Sequence, residues 1–208
     1  KIVAALIDGA KGTIPVAMAC GTAGIIVGVI NYCGVGIKFT SFMLAFAQNR
    51  MFLVLLFTAI ATMILGMGLP TTPAYVVVAA LMVPTLRQCG VGLAAAHLFA
   101  FYFANIANIT PPVALASYTA AGIAESEPMK TGLIASKLGI VAYIVPFMFV
   151  YSPELLLMGD NVIKLLWSAM TALTGTFMLA ASVQGWLLQK LPIPVRVIMG
   201  SGALSMID

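Results

Sequence analysis

Ionisable side chains are nearly missing from this sequence: only 8% of its 208 residues are Asp, Glu, Lys or Arg, against about a quarter in ordinary soluble domains. A chain with so little charge, 62% apolar residues and a mean hydropathy of +1.11 cannot cover a water-exposed surface. The soluble globular classes are thereby excluded, and an all-α integral membrane protein is expected. The net charge of +4 comes from cations scattered over loops, with no basic run, so nucleic acid is not a partner. Histidine occurs once, at His97, and Cys20, Cys33 and Cys89 show neither CxxC nor Cys/His spacing. Neither a transition-metal site nor a disulfide framework follows from such a set, and small apolar packing residues are the simpler reading. Catalytic signatures are lacking as well: Ser117 and Ser136 have no Gly-x-Ser-x-Gly context, and no HExxH or paired acidic residues occur in the apolar segments. An enzyme is not expected; a channel stays conceivable, although no carbonyl-filter repeat or charged ring appears. The chain opens at Lys1 without Met and shows no secretory leader; with its abrupt end at Asp208 it reads as a piece of a longer protein.

What is present is a pair of long apolar segments, each cut at its middle. The first, MFLVLLFTAIATMILGMGLPTTPAYVVVAALMVPTL, runs from Met51 to Leu86; the second, from Val91 to Ala124, contains AAHLFAFYFANIANITPPVALASYTAAGIA. Neither holds a Lys, Arg, Asp or Glu. Gly66, Gly68 and Pro70 interrupt the first, after which Thr72 and Pro73 read as an N-cap and first helical residue. Asn108 and Ile109 end one half of the second, and Thr110 followed by Pro111 is expected to open the next in the same way. A break at bilayer depth leaves backbone groups that only protein or a water-filled cavity can satisfy. It also places helix N-termini, which suit anions, and C-terminal carbonyls, which suit cations, inside the membrane. Transporters set substrate and coupling-ion sites at such paired breaks.

Lengths suggest the topology. Met51–Gly66 and Pro73–Leu86 would be helices of about 21 to 24 Å against a hydrocarbon core of about 30 Å, so a re-entrant hairpin over 51–86 is expected. Val91 to Ala124 would be about 50 Å long as one helix, too long for one straight span and too short for two, which favours a single discontinuous span over 91–124. Around these, Lys1 to Thr13 reads as an amphipathic lead-in and Ile14 to Ile37 as a first span, whose Gly21, Gly24 and Gly28 suit close helix packing. Lys38 to Arg50 reads as an interfacial helix and Pro128 to Tyr151 as a span with Lys137 snorkelling. Ser152 to Asp160 reads as an acidic loop, Leu165 to Leu188 as a further span, and Val195 to Ile207 as the start of another helix. Threading this path with Lys1 and Lys11 inside leaves six cations inside and four outside, Lys38, Arg50, Arg87 and Lys164. The bias has the positive-inside sign, and the hairpin then opens from the outer face.

Single residues inside the broken segments carry most of the chemistry. His97 could relay protons, but it has no acidic neighbour in sequence, and a hydrogen-bonded packing role accounts for it better. Asn105 and Asn108 approach the break at helical spacing, and each amide must find a partner in hydrocarbon, either by lining a site or by bracing backbone.

The stretches GMGLPTTPAYVVVAALMVP, AAHLFAFYFANIANITPPVALASYTAAGIA and EPMKTG closely resemble the large membrane subunit, the DctM-like permease, of tripartite ATP-independent periplasmic (TRAP) transporters. CGTAGIIVGVINYCGVGIKF and VPFMFVYSPELLL fit the same family, and QGWLLQKLPIP resembles the added C-terminal helices of the fused TAXI type, in which small and large subunits share one polypeptide. The family's large subunit has two related halves, and only the second is similar to this chain. The resemblance implies a C-terminal repeat over 1–160 and extra, truncated transmembrane helices over 161–208. It further implies a sodium-driven importer of organic acids working by an elevator motion in the bacterial inner membrane. A periplasmic substrate-binding protein, the N-terminal half and the small subunit would be its partners, and no cofactor beyond the coupling sodium is implied. Carried over by motif, Gly66, Gly68, Thr71 and Thr72 match the hairpin tip, and Asn105, Asn108, Thr110, Pro111 and Pro112 match the broken helix; sodium is expected at Gly68, Thr72, Asn108 and Thr110.

Overall fold

The computed structural model describes residues 1–47, 50–159, 161–187 and 189–207, the side chains at 204, 206 and 207 excepted. Asp160, expected in the acidic loop, Leu188, expected to end the last span, and Gln48 and Asn49 of the interfacial segment lie outside the described residues. The described chain folds into ten α-helices and two 3-10 turns, with no β-strand longer than an isolated Trp186–Lys190 bridge. Two of the helices, Ile2–Tyr32 and Val162–Gln184, are long and apolar enough to cross a membrane. The chain is an all-α membrane protein.

Helix α1, Ile2–Tyr32, is one continuous helix rather than a lead-in followed by a span ending at Ile37. Nothing near Thr13 breaks it, since Pro15 is accommodated within the helix; the chain turns instead at Gly34, whose φ of 64° lies in the left-handed region that favours glycine. Helix α2, Val35–Phe46, therefore starts earlier than the expected interfacial helix. It also packs inward, where the buried hydroxyls of Thr40 and Thr85 share a hydrogen bond of 2.9 Å. The expected close packing at Gly21, Gly24 and Gly28 is absent among the described residues: a Cβ at any of the three would meet nothing within 4 Å.

Helices α3, Met51–Gly66, and α4, Thr71–Gln88, form the expected pair of short arms. At about 24 and 27 Å, neither arm reaches the roughly 30 Å of a hydrocarbon core. Helix α5, Leu93–Ile106, packs against both arms. In lipid, helices gain little from hiding apolar surface from one another, so their association depends on shape and close approach. That requirement explains the residues at this contact. Ala96, Ala100 and Ala104 recur every fourth residue on α5 and are all fully buried, while Thr58, Thr62 and Gly66 recur at the same interval on α3 and are buried too. A Cβ on Gly66 would stand 3.3 Å from the Cα and the carbonyl oxygen of Ala104, so the hairpin tip presses directly on the backbone of α5.

After a loop at 107–114 comes the short helix α6, Leu115–Ile123, and then α7, Pro128–Leu138. The segment 128–151 is not a straight span: α7 and the stretch Ile140–Tyr151 are bent by 67° at Gly139, and the second part consists of a 3-10 turn, Ile140–Tyr143, and α8, Val145–Tyr151. The bend is where Ile109 of the loop lies against Gly139, at a point that a Cβ would approach to 2.8 Å. Phe147 of α8 completes an aromatic cluster with Phe99 and Phe103 of α5, at centroid distances of 5.3 and 5.9 Å.

The remainder is a two-helix unit. Helix α9, Val162–Gln184, begins three residues before the expected Leu165 because the Asn161 side chain caps it, accepting from the N–H groups of Ile163 and Lys164 at 3.0 and 3.3 Å. It ends at Gly185, with φ 73°. Arg196 of helix α10, Ile193–Ile207, donates to the carbonyls of Ser182 and Val183 there, a cation on the negative end of a helix. Lys164 pairs with Glu154 in the loop before α9, and this hydrogen bond holds the Glu154 carboxyl below the usual carboxylate range.

The packing of Gly66 makes a comparison possible. Gly66→Val should destabilise the protein by about 1–3 kcal/mol by forcing the hairpin tip off Ala104. Gly122→Ala on α6, where a Cβ meets nothing within 4 Å, should stay within about 0.5 kcal/mol of the parent. Thermal unfolding of the two variants in the same detergent checks both.

Candidate functional site

The two breaks meet. Gly66 ends α3 against Ala104 and Ala107 at the end of α5, and a Cβ on Gly68 would lie 3.8 Å from Val113 in the loop that follows α5. Gly68 has φ 80°, so the tip of the hairpin turns through a conformation that other residues adopt only under strain. Helix α4 then starts at Thr71 with Pro70 as N-cap, not at Pro73 with Thr72 as N-cap. No side chain caps it, and Thr71 and Thr72 are exposed. Because Pro73 has no N–H and Ala74 N–H already bonds the Pro70 carbonyl, the free donors at this N-terminus are the N–H groups of Thr71 and Thr72.

The second break also differs from the expected Thr110 cap. Ala114, at φ 33°, precedes α6, and Thr110 sits four residues further back, in the loop. Its hydroxyl donates to the Ile106 carbonyl at 2.7 Å and pairs with the Tyr143 hydroxyl at 2.6 Å, so Thr110 ties the end of α5 to the 3-10 turn. Part of the loop backbone is satisfied by the elements around it. Ala116 N–H donates to the Asn108 carbonyl at 3.0 Å, Ser136 Oγ to the Ile109 carbonyl at 3.0 Å, and Tyr118 OH to the Pro112 carbonyl at 2.7 Å. Pro111, joined to Pro112 by a cis peptide bond, lies where a Cβ on Gly132 would come within 3.0 Å of its ring. Gly132, Ser136 and Gly139 thus form one small-residue face of α7 on which the loop rests.

Three of the expected site residues line two adjoining grooves, whereas Gly66, Gly68, Asn108, Thr110, Pro111 and Pro112 line neither. Thr71 and Thr72 line one of about 280 Å³ with Tyr75, His97, Leu98 and Phe101. Asn105 lines another of about 430 Å³ with Phe101, Tyr102, Ile106, Ile109 and Ala142, and Phe101 separates the two. The Asn105 amide donates to the Phe101 carbonyl at 2.9 Å, bracing its own helix while its oxygen remains available. The Asn108 side chain is half-buried and makes no hydrogen bond among the described residues. His97 shares a 2.7 Å hydrogen bond between its Nδ1 and the Tyr75 hydroxyl, linking α5 to α4 as the packing reading expects, and it also faces the groove that Thr71 and Thr72 line.

Several participants had no signal in a single apolar segment. Tyr143, Ser136 and Gly132 lie beyond the segments that were read for breaks, though Gly132, Ser136 and Gly139 show small-residue spacing. Thr58, Thr62 and Ser117 are buried with hydroxyls that have no hydrogen-bond partner among the described residues. No group of three or more His, Cys, Asp or Glu stands together among the described residues, so the polar atoms here are hydroxyl, amide and carbonyl groups and backbone N–H.

A family model described as the tripartite ATP-independent periplasmic transporter, DctM component, matches residues 1–162. The chain belongs to that family. It is therefore a TRAP transporter permease component, of a class whose partners include a periplasmic binding protein and a small membrane subunit. No curated protein and no solved structure matches the chain.

The Thr110–Tyr143 pair is the strut of the second break, and a double-mutant cycle measures it. Thr110→Val and Tyr143→Phe should each cost about 1 kcal/mol in unfolding midpoint measurements, and the double variant should cost clearly less than their sum.

Proposed function

We propose that this chain carries the ion and substrate site of a sodium-coupled secondary importer whose cargo is an organic acid anion, delivered by the periplasmic binding protein. The observation that carries the reading is the contact between two helix breaks, Gly66 against Ala104 and Ala107, and Gly68 beside Val113. Both broken segments lack formal charge, so cargo there meets oriented dipoles rather than ion pairs. The Thr71 and Thr72 N–H groups at the start of α4 suit a carboxylate. Oxygen atoms of Gly68, Thr72, Asn108 and Thr110 make a hard, uncharged donor set of the kind that suits an alkali cation, with Thr110 contributing only the lone pair left over from its two hydrogen bonds.

In this reading α3 and α4 form a re-entrant hairpin open to the periplasm, and α5 and α6 form one discontinuous span. The chain supplies the C-terminal repeat over 1–160. The first repeat, the small subunit fused in the TAXI manner and an elevator movement in the bacterial inner membrane complete the transporter, with 161–208 as added transmembrane helices. A site between helix ends is suited to such a movement, because the ion and the anion neutralise each other and cross as one bundle.

A second reading, proton coupling in the same architecture, draws on His97. It is the only histidine in either broken segment, and it faces the Thr71–Thr72 groove. A non-transporting scaffold would have no use for polar helix ends at this depth.

Uptake into vesicles holding the full-length protein, with its binding protein outside, separates these readings. Sodium coupling predicts uptake that collapses without an inward sodium gradient. Thr72→Val and Thr110→Val should raise the sodium concentration for half-maximal uptake by about tenfold, the worth of one charge-assisted contact. His97→Gln should keep the sodium dependence. Uptake indifferent to sodium, driven by a pH gradient and lost in His97→Gln, would establish the proton reading instead, and no gradient-driven uptake at all would leave the scaffold.

A further inference from the structure

Away from the helix ends, the outer side of the hairpin carries a cavity of about 570 Å³, the size of an ordinary ligand pocket. One wall is α3, through Phe52, Leu56, Ile60 and Met63; the other is the segment after the bend, through Tyr143 and Phe147. The α3 residues recur at the spacing of one helix face, and three of them are substantially open, Phe52 at 58%, Leu56 at 37% and Ile60 at 48% exposure. Nothing polar lines the cavity except the tyrosine hydroxyls, and that of Tyr143 is turned to Thr110.

The geometry points to a lipid site: one acyl chain of an anionic phospholipid lies along this groove, with its phosphate at Arg50. Length, charge and place support that occupant. From Phe52 to Met63 the groove runs for about 16 Å, close to the roughly 15 Å depth of one leaflet's hydrocarbon. Arg50 is exposed and caps the N-terminus of α3, two residues ahead of Phe52. A cation beside the mouth of an apolar groove fits a lipid phosphate, and a charged side chain on a membrane protein seeks the headgroup level in any case. The deep end of the groove is the informative one. A chain seated there packs on Tyr143, whose hydroxyl holds Thr110 at the second break, so the lipid becomes part of the support for the break rather than a film around the protein.

Bromine on an acyl chain quenches tryptophan at contact, which gives a direct test on the full-length protein in phosphatidylcholine vesicles. Trp167, Trp186 and every other tryptophan of the full-length protein are replaced by Phe, and a single reporter is placed in the groove as Ile60→Trp or, for comparison, on the exposed flank of α1 as Ile26→Trp. Brominated phosphatidylglycerol is then titrated in. The groove reporter should saturate at a low mole fraction, Arg50→Gln should raise that fraction about fivefold, the worth of one cation at an anionic surface, and the α1 reporter should follow the bulk composition. Quenching at Ile60→Trp that merely tracks the bulk would reduce the groove to ordinary lipid contact and overturn the site. No quenching there would mean that protein, the other half of the transporter, fills it. A second measurement needs no tryptophan variant: photoreactive acyl-chain phosphatidylglycerol should cross-link to peptides of both α3 and α8, and labelling spread evenly over α1 and α9 would count against the proposal.

Discussion

A peptide group without a hydrogen bond costs several kcal/mol in hydrocarbon, and this single constraint organises the molecule. Two helices stop in the middle of apolar segments, and the elements around the second break serve part of the backbone it releases. The loop at 107–114 lies on the small-residue face of α7, where Ser136 donates to Ile109 and Gly132 admits Pro111. Thr110 and Tyr143 close the gap to the 3-10 turn. The hairpin tip needs less support because it is short and because glycine takes the turn at Gly68 without a steric penalty.

The same constraint explains why the contact between α3 and α5 is built from small residues. Lipid competes with a partner helix for apolar side chains on nearly equal terms, so a stable contact requires backbones that approach closely. The buried Ala96, Ala100 and Ala104 of α5 and the buried Thr58, Thr62 and Gly66 of α3 are small enough for that, and Gly66 stands against the α5 backbone at Ala104. The hydroxyls of Thr58 and Thr62 are left without a partner by this arrangement.

Much of this was legible in the sequence because membrane chemistry is blunt. The scarcity of charge indicated the class, and Gly66, Gly68, Pro70 and the Thr-Pro pairs marked both breaks within a few residues. What could not be read was how each break is finished. Thr72 and Thr110 look like caps followed by proline, yet α4 starts earlier, at Thr71, with no side-chain cap, and α6 later, at Leu115, where Thr110 bonds Ile106 and Tyr143 instead of a helix end. The bend at Gly139 was hidden for a similar reason: Pro128 to Tyr151 has the length of a span, and only the fit of Ile109 against Gly139 shows why it is not straight. The glycine face of α1 is the opposite case: Gly21, Gly24 and Gly28 have the spacing of a packing motif and meet nothing among the described residues. Spacing identifies a face that can be approached, and only the fold says whether anything approaches it.

The account stands or falls on the two breaks forming one site inside the membrane. Single cysteines at Leu69 on the hairpin tip and at Val113 in the loop after α5, in a background without Cys20, Cys33 and Cys89, address that directly. A small water-soluble thiol reagent applied from the periplasmic side should reach both positions in the full-length transporter, and sodium together with substrate should slow both reactions in parallel. Cysteines at Arg50 and Arg87 should both react from that same side, as the ends of a hairpin must. Labelling of Arg50 and Arg87 from opposite faces, or a Leu69 position that reacts only from the cytoplasm and ignores both ligands, would show two ordinary spans and contradict the site.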